Sequence, residues 1–231
     1  MGQIRARTDA EIAKKKKLIM RNAAKLLLGM DYGQITLAMI AEKSGITRTS
    51  MYTYYNTKEQ IYVDLLISEY EALEKTLKKE FGGEPMSRSD FCRKLTYALL
   101  KRHVLVWLWS LQLSMLDQKY TDKALIEYFT QAIVPYTQTL DEVLRRQFPD
   151  AGDDALHMFG LQFTAYCISL RSLDHLPDAQ KESMRDKKNR AMPSGDIICY
   201  QGLMLLTALL EKDAELYIDL NTQGGSQPEH K

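Results

Sequence analysis

Apolar residues recur at the helical period through most of the chain. Ile12, Ile19, Ala23, Leu26 and Leu27 mark a first amphipathic helix from about Glu11 to Leu28, closed by Gly29 and Gly33. Two short helical patterns follow, Thr36 to Lys43 and Thr47 to Tyr55. Each opens on a threonine able to cap it, and Ser44, Gly45 and Ile46 lie between them. Thr57 then caps a long helix from Lys58 to about Glu80, which ends at Gly82, Gly83, Glu84 and Pro85, the best internal linker. Beyond Pro85 the pattern predicts helices over about Ser89–Arg102, Val104–Leu116, Asp122–Gln147, Asp153–Leu173 and Gly195–Leu210. Leu176 to Pro193 is polar and reads as loop, and Gln223 to Lys231 reads as a disordered tail. No strand-like alternation survives comparison with the helical template. The expected fold class is all-α.

Charge divides the chain where the helical pattern changes scale. The whole carries 31 Lys+Arg against 30 Asp+Glu, a net of +1. Residues 1–60 hold eleven bases and five acids, a net of +6, which leaves 20 bases and 25 acids, a net of −5, for the remainder. A basic head thus precedes a mildly acidic body. Cys92, Cys167 and Cys199 are odd in number and far apart, so neither a disulfide framework nor a zinc cluster is expected, and the thiols should be reduced and buried. The charged start MGQIRARTDAEIAKKKK has no apolar core of a secretory signal, and Val104 to Met115 is too short to span a bilayer. A cytoplasmic protein without membrane association is expected.

The head reads as a helix-turn-helix. Leu37, Ile40 and Ala41 share one face of the first short helix, Ala41 is small enough for a close crossing, Gly45 permits a tight turn, and Ile46 plugs the corner. On the second helix, with Arg48 at zero and 100° per residue, Met51 and Tyr55 fall at roughly 300° and 340° and define the core face. Thr49, Thr53 and Ser50 fall on the opposite side, flanked by Tyr52 and Tyr54. About eight residues of helix are roughly 12 Å long, a match to the width of the DNA major groove.

Small polar groups of Thr49, Ser50 and Thr53 would then face base edges, while the phenols of Tyr52 and Tyr54 reach the phosphate walls. Arg48, at the helix head beside Thr47, can bond guanine in two places or clamp a phosphate. Helix N-termini at Thr36 and after Thr57, together with Lys58, supply further anion-binding groups. The lysine run Lys14 to Lys17 adds nonspecific attraction, although such a run alone is more often a solvated face.

This segment resembles the DNA-binding domain of the TetR family of transcriptional regulators. The matching residues are Ala23-Ala24, Thr36 with Ile40-Ala41 and Gly45-Ile46, Met51-Tyr52 followed by Tyr54-Tyr55, and Thr57-Lys58-Glu59. The chain departs from the pattern in its short Gly33-to-Thr36 interval, in Tyr55 where phenylalanine is commoner, and in Asn56 where a basic residue is often seen. The resemblance implies that Thr36, Tyr52 and Lys58 hold phosphate and that Arg48, Thr49, Ser50, Thr53 and Tyr54 lie in or beside the major groove. The sites expected are Arg48, Thr49, Ser50 and Thr53 facing bases, with Thr36, Thr47, Tyr52, Tyr54 and Lys58 on phosphates and the groove wall. It also implies an effector pocket in the helical body, for which Trp107, Trp109, Gln112, Met115, Tyr136, Phe163 and Tyr166 are candidates. Any one of these aromatics is, by default, a packing residue. The last two long helices would pair with those of a second copy as a four-helix bundle.

Catalysis has little support. His103, His157, His175 and His230 are scattered, and no metalloprotease, nucleophile-elbow, P-loop or dinucleotide motif is present. No catalytic residue, metal site or cofactor is expected. The organisation inferred is a helix-turn-helix three-helix DNA-binding domain over residues 1–60, a larger helical effector-binding and dimerisation domain over 61–222, and a tail over 223–231. The expected function is a homodimeric repressor on a palindromic operator, released by a small apolar or amphipathic ligand. The alternative is a small-molecule-binding or interaction protein of the same fold that holds DNA only nonspecifically.

Overall fold

The computed structural model describes residues 9–117, 121–174, 178–183 and 194–210. Its helices are α1 (Asp9–Leu27), α2 (Leu37–Lys43), α3 (Arg48–Met51), α4 (Lys58–Phe81), α5 (Arg88–Leu100), α6 (His103–Met115), α7 (Lys123–Ala132), α8 (Val134–Gln147), α9 (Asp153–Asp174), α10 (Asp178–Ser183) and α11 (Gly195–Ala208). No strand occurs among the described residues. The expected tail over 223–231 and most of the 176–193 loop lie outside them. None of these helices is long and apolar enough to cross a membrane.

The chain divides into two compact units. One comprises Met1–Ala72 with Arg102–Val134, the other Leu73–Lys101 with Pro135–Lys231. In the first unit Ile19, Ala23, Leu27, Ile40, Met51, Ile61 and Leu66 are sealed from solvent. These are residues of the apolar stripes, brought together by the helical period. Tyr62 is also sealed, and its hydroxyl donates to the Ala23 carbonyl at 3.1 Å, which satisfies an otherwise costly buried O–H.

The second unit has an aromatic core in which Phe91 packs edge-on to both Phe81 and Phe148, each 5.0 Å away between ring centres. α11 packs on α5 and α9. A Cβ on Gly202 of α11 would collide with the Tyr166 hydroxyl and ring of α9, so glycine allows this approach. That hydroxyl donates to the Ile198 carbonyl at 3.0 Å. At Gly160 of α9, by contrast, a Cβ would meet nothing within 4 Å. All three cysteines are buried, and the Cys92 Sγ lies 3.4 Å from Thr207 Oγ1.

Three expectations need correction. The single helix expected over Asp122–Gln147 is two, α7 and α8, because Pro135 lacks the N–H that would continue the ladder and its ring crowds the preceding turn. The second short helix ends at Met51 rather than Tyr55. Thr53 and Tyr54 N–H groups bond three residues back, to Ser50 and Met51, so the backbone tightens into turns. Finally, part of the loop expected over Leu176 to Pro193 is helical, since α10 spans Asp178–Ser183. The expected linker at Gly82 to Pro85 joins α4 and α5, and Gln147 clamps it. The buried Gln147 side chain donates to the Phe81 carbonyl at 2.8 Å and accepts from Met86 N–H at 3.0 Å.

Candidate nucleic-acid interface

The helix-turn-helix is fixed at each corner by a local device that the sequence carries. Thr36 adopts an extended backbone and its Oγ1 accepts from Met39 N–H at 3.2 Å, capping α2. At the other end of α2, Gly45 has φ +63°, Gly45 N–H bonds the Glu42 carbonyl and Ile46 N–H the Ala41 carbonyl. This paired closure needs a left-handed residue at the glycine and leads the chain sharply into Thr47. Thr47 then caps α3, its Oγ1 accepting from Ser50 N–H at 3.1 Å and donating to Ser50 Oγ at 3.0 Å.

α3 is oriented by what it buries. Met51 is wholly buried and Tyr55 is 3% exposed, as the angular reading expected. Opposite them Arg48, Thr49, Tyr52 and Thr53 are exposed, and Ser50 and Tyr54 are half-buried. Arg48 Nε donates to the Tyr52 hydroxyl at 3.4 Å, one helical turn away, so the guanidinium and the phenol stand along one edge. The protein surface here offers one guanidinium, several hydroxyls and two phenols, all able to bond phosphate oxygens or base edges.

Charge around α3 is more structured than the lysine run suggested. Lys14 and Lys17 are exposed, and with Lys15, Leu18, Arg21 and the acidic Glu11 they line a predominantly basic groove along α1. Lys16 turns inward to pair with Asp64 at 3.4 Å. Lys58, half-buried, donates to the carbonyls of Tyr32 and Ile35, each at 2.9 Å, and thereby ties down the loop that presents Thr36. That loop includes a short 3-10 turn, Tyr32–Gln34, which the apolar period gave no sign of.

Residues that sequence reasoning missed support this surface from beneath. Asn22 on α1 donates to Ser44 Oγ at 3.4 Å within the buried corner. Tyr32 donates to Glu59 at 3.3 Å and packs edge-on to Tyr62. Burial first, and the Glu59 carboxylate second, hold the Tyr32 phenol far above the usual tyrosine range. Burial and then Asp64 do the same for Tyr55. None of these pairs follows a helical period, so only the three-dimensional arrangement reveals them.

The residues expected to line an effector pocket fall in both units. Trp109 and Met115 are buried on α6, and Trp107 and Gln112 are half-buried there. The Trp109 indole N–H donates to the Tyr70 hydroxyl at 2.8 Å, which donates to Gln112 Oε1 at 3.1 Å. In the other unit Phe163 stacks on Phe159, Tyr166 bonds α11, and Tyr136 lines a groove of about 330 Å³ between α8 and α9. His103 and His157 are exposed, and His175 and His230 lie outside the described residues. No cluster of three or more His, Cys, Asp or Glu able to hold a metal occurs among the described residues.

Residues 19–65 match the family model of bacterial regulatory proteins, tetR family, and residues 65–194 match that of the tetracyclin repressor-like C-terminal domain. No curated protein matches the sequence. The fold is similar to that of the fatty acid degradation regulator FadR of Bacillus halodurans, with a TM-score of 0.58 at 15% identity, over 83% of this chain and 94% of that one. It is likewise similar to FadR of Bacillus subtilis, solved in complex with stearoyl-CoA, with a TM-score of 0.55 at 14% identity, over 85% of this chain and 98% of that one.

Proposed function

The chain belongs to the TetR family of transcriptional regulators, and on that premise we propose that it is a homodimeric repressor of a palindromic operator, released by a small apolar or amphipathic ligand. The observation that carries this reading is the two-sided character of α3. Met51 of α3 and Tyr55 just beyond it are buried and anchor the segment, while Arg48 and Thr49 of α3 and Thr53 in the turn after it stand exposed on a basic head.

In this reading α3 enters the major groove, where Arg48, Thr49, Ser50 and Thr53 meet base edges. Thr36, Thr47, Tyr52, Tyr54 and Lys58 hold the phosphate walls. Thr36 uses its oxygen as an acceptor in the cap and keeps its O–H for a phosphate. Lys58 spends two of its three N–H donors on carbonyls and keeps one. Its phosphate contact is thus a short, fixed one rather than a swinging arm.

Residues 1–60 form the DNA-binding domain and 61–222 the body that dimerises and takes the effector. α9 and α11 make the dimer, and among the described residues Leu161, Ile197 and Leu205, at 56%, 46% and 75% exposure, are their exposed large apolar side chains, available to a second copy. The candidate effector contacts are Trp107, Trp109, Gln112 and Met115 in one unit and, considered separately, Tyr136, Phe163 and Tyr166 in the other. The stearoyl-CoA bound by the Bacillus subtilis relative is an amphipathic molecule and supports the amphipathic alternative of that ligand class. Regulation without catalysis is part of the proposal.

Selection of bound duplexes from a random pool tests it. An inverted repeat with half-site centres roughly 34 to 36 Å apart is expected for a two-fold dimer. Recovery of no consensus would favour a protein that uses DNA only as a nonspecific platform.

A further inference from the structure

Arg48 and Tyr52 bond each other on the exposed side of the reading segment, Arg48 Nε donating to the Tyr52 hydroxyl at 3.4 Å. The contact spans one helical turn. Tyr52 keeps a right-handed helical backbone, φ −62° and ψ −14°, so it stays one turn beyond Arg48 although α3 itself stops at Met51. On the other side Thr47 fixes the head of α3, bonding both the N–H and the hydroxyl of Ser50. Arg48 therefore leaves a defined backbone and meets a defined partner. Its long side chain has less freedom to lose when a ligand arrives.

That bond decides which edge of each group is left for a ligand. A guanidinium carries only donors, and with Nε turned to Tyr52 the edge that remains is Nη1 and Nη2, two parallel N–H groups. The Tyr52 oxygen accepts from Arg48, so its single proton is left to donate outward. A donor-only fork matches guanine, which alone shows two acceptors and no donor, O6 and N7, in the major groove. Adenine and cytosine present an amino donor there, and thymine a single acceptor. A lone O–H suits one phosphate oxygen. Donation from a cation to the hydroxyl oxygen also polarises the O–H and strengthens that second bond.

The sequence leaves Arg48 two roles, base reader or phosphate clamp, and the contact with Tyr52 separates them. We propose that Arg48 reads one guanine in each half-site through Nη1 and Nη2, and that Tyr52 is the positioning residue that holds it there, its own proton anchored on a neighbouring phosphate. The inference rests on the operator-binding reading above and deepens it. In water a bond between two exposed groups holds weakly, but in a filled groove the water leaves and the same bond is shielded. Base choice at one position is thereby tied to a backbone contact.

The test uses the full chain and the duplex recovered by selection, with each guanine of a half-site replaced in turn by 7-deazaguanine, which lacks the N7 acceptor, or by hypoxanthine, which keeps N7 and O6. At one guanine the wild type should lose about tenfold on 7-deazaguanine, the worth of one charged hydrogen bond, and keep its affinity within about twofold on hypoxanthine. In Arg48→Ala the 7-deazaguanine loss at that position should vanish. Tyr52→Phe keeps its ring at a site 47% exposed, which protects folding. It should shrink the loss at that guanine to about threefold or less and leave the losses at other guanines as they are. Should Tyr52→Phe weaken every duplex equally, with the loss at this guanine intact, Tyr52 holds phosphate alone and the positioning role is overturned. A consensus without guanine, or 7-deazaguanine losses that all persist in Arg48→Ala, overturns the guanine reading while leaving operator binding in place. Absence of any consensus overturns the operator-binding reading, and this inference with it.

Discussion

Lys58 Nζ donates to the Tyr32 carbonyl at 2.9 Å and stands 4.3 Å from the centre of the same residue's ring. With its second bond, to the Ile35 carbonyl, it fastens the loop that delivers Thr36. Hydrogen bonds from a charged donor are worth about 1.5 to 3 kcal/mol each where they are shielded. Because Lys58 is half-buried, we expect Lys58→Met to lose about 1 to 3 kcal/mol in urea unfolding. It should also weaken binding to every duplex, selected or not. Unaltered stability would show that the two carbonyls find water at no cost.

Gly45 tests the corner between α2 and α3. Its φ of +63° is disfavoured for other residues, yet a Cβ there would meet nothing within 4 Å. The penalty for alanine is therefore one of backbone conformation alone, about 1 to 2 kcal/mol. Asparagine, which tolerates the left-handed region, should lose less than alanine. Thermal unfolding of Gly45→Ala and Gly45→Asn checks the order, and equal midpoints would contradict the geometry.

Two other glycines should respond in opposite directions. Gly202→Ala drives a methyl into the Tyr166 ring and hydroxyl, and we expect a loss of about 1 to 3 kcal/mol as the α9 and α11 contact opens. Gly160 lies in mid-helix with open space around it, so Gly160→Ala should gain roughly 0.5 to 1 kcal/mol from helix propensity. Denaturant midpoints of the two variants, measured at one protein concentration, decide the matter. Matching signs would contradict the packing described.

Alkaline titration examines the buried phenols. Tyr32, Tyr55, Tyr62 and Tyr166 are all raised above the usual tyrosine range, first by burial, then for Tyr32 and Tyr55 by Glu59 and Asp64. A neutral phenol is thus favoured in the folded state. The stability this lends is complete below the ordinary tyrosine value near ~10 and is lost as pH rises toward the folded-state values. Phenolate absorbance of the folded protein should therefore show a fraction of its 13 tyrosines titrating late, together with unfolding. In denaturant all should titrate together. A single ordinary transition in the folded protein would refute the burial.

Much of this was legible in the chain because the devices concerned are local. Thr36, Thr47 and Thr57 each act as caps within three residues, and Gly45-Ile46 closes α2 by bonds of similar span. Met51 and Tyr55 were placed correctly by the helical angle even though α3 ends before Tyr55, since the turns after it keep Tyr55 N–H on the Met51 carbonyl. Pro135 was visible in the sequence, yet the apolar stripe running through it outweighed its missing N–H. What the pattern could not carry are pairings across long separations. Lys16 with Asp64 is 48 residues apart and Lys58 with Tyr32 is 26, and no period links either pair.

The direct test of sequence reading by α3 is the ratio of equilibrium affinities for the selected duplex and a scrambled one, measured by fluorescence anisotropy for the wild type and for Arg48→Ala and Tyr52→Ala across a salt series. The wild type should prefer the selected duplex by about 10³-fold or more, with both affinities falling steeply as salt rises. Arg48 and Tyr52 are exposed, so each variant should keep its fold and lose that preference. Equal affinity of the wild type for both duplexes, or an undiminished preference in both variants, would contradict the account.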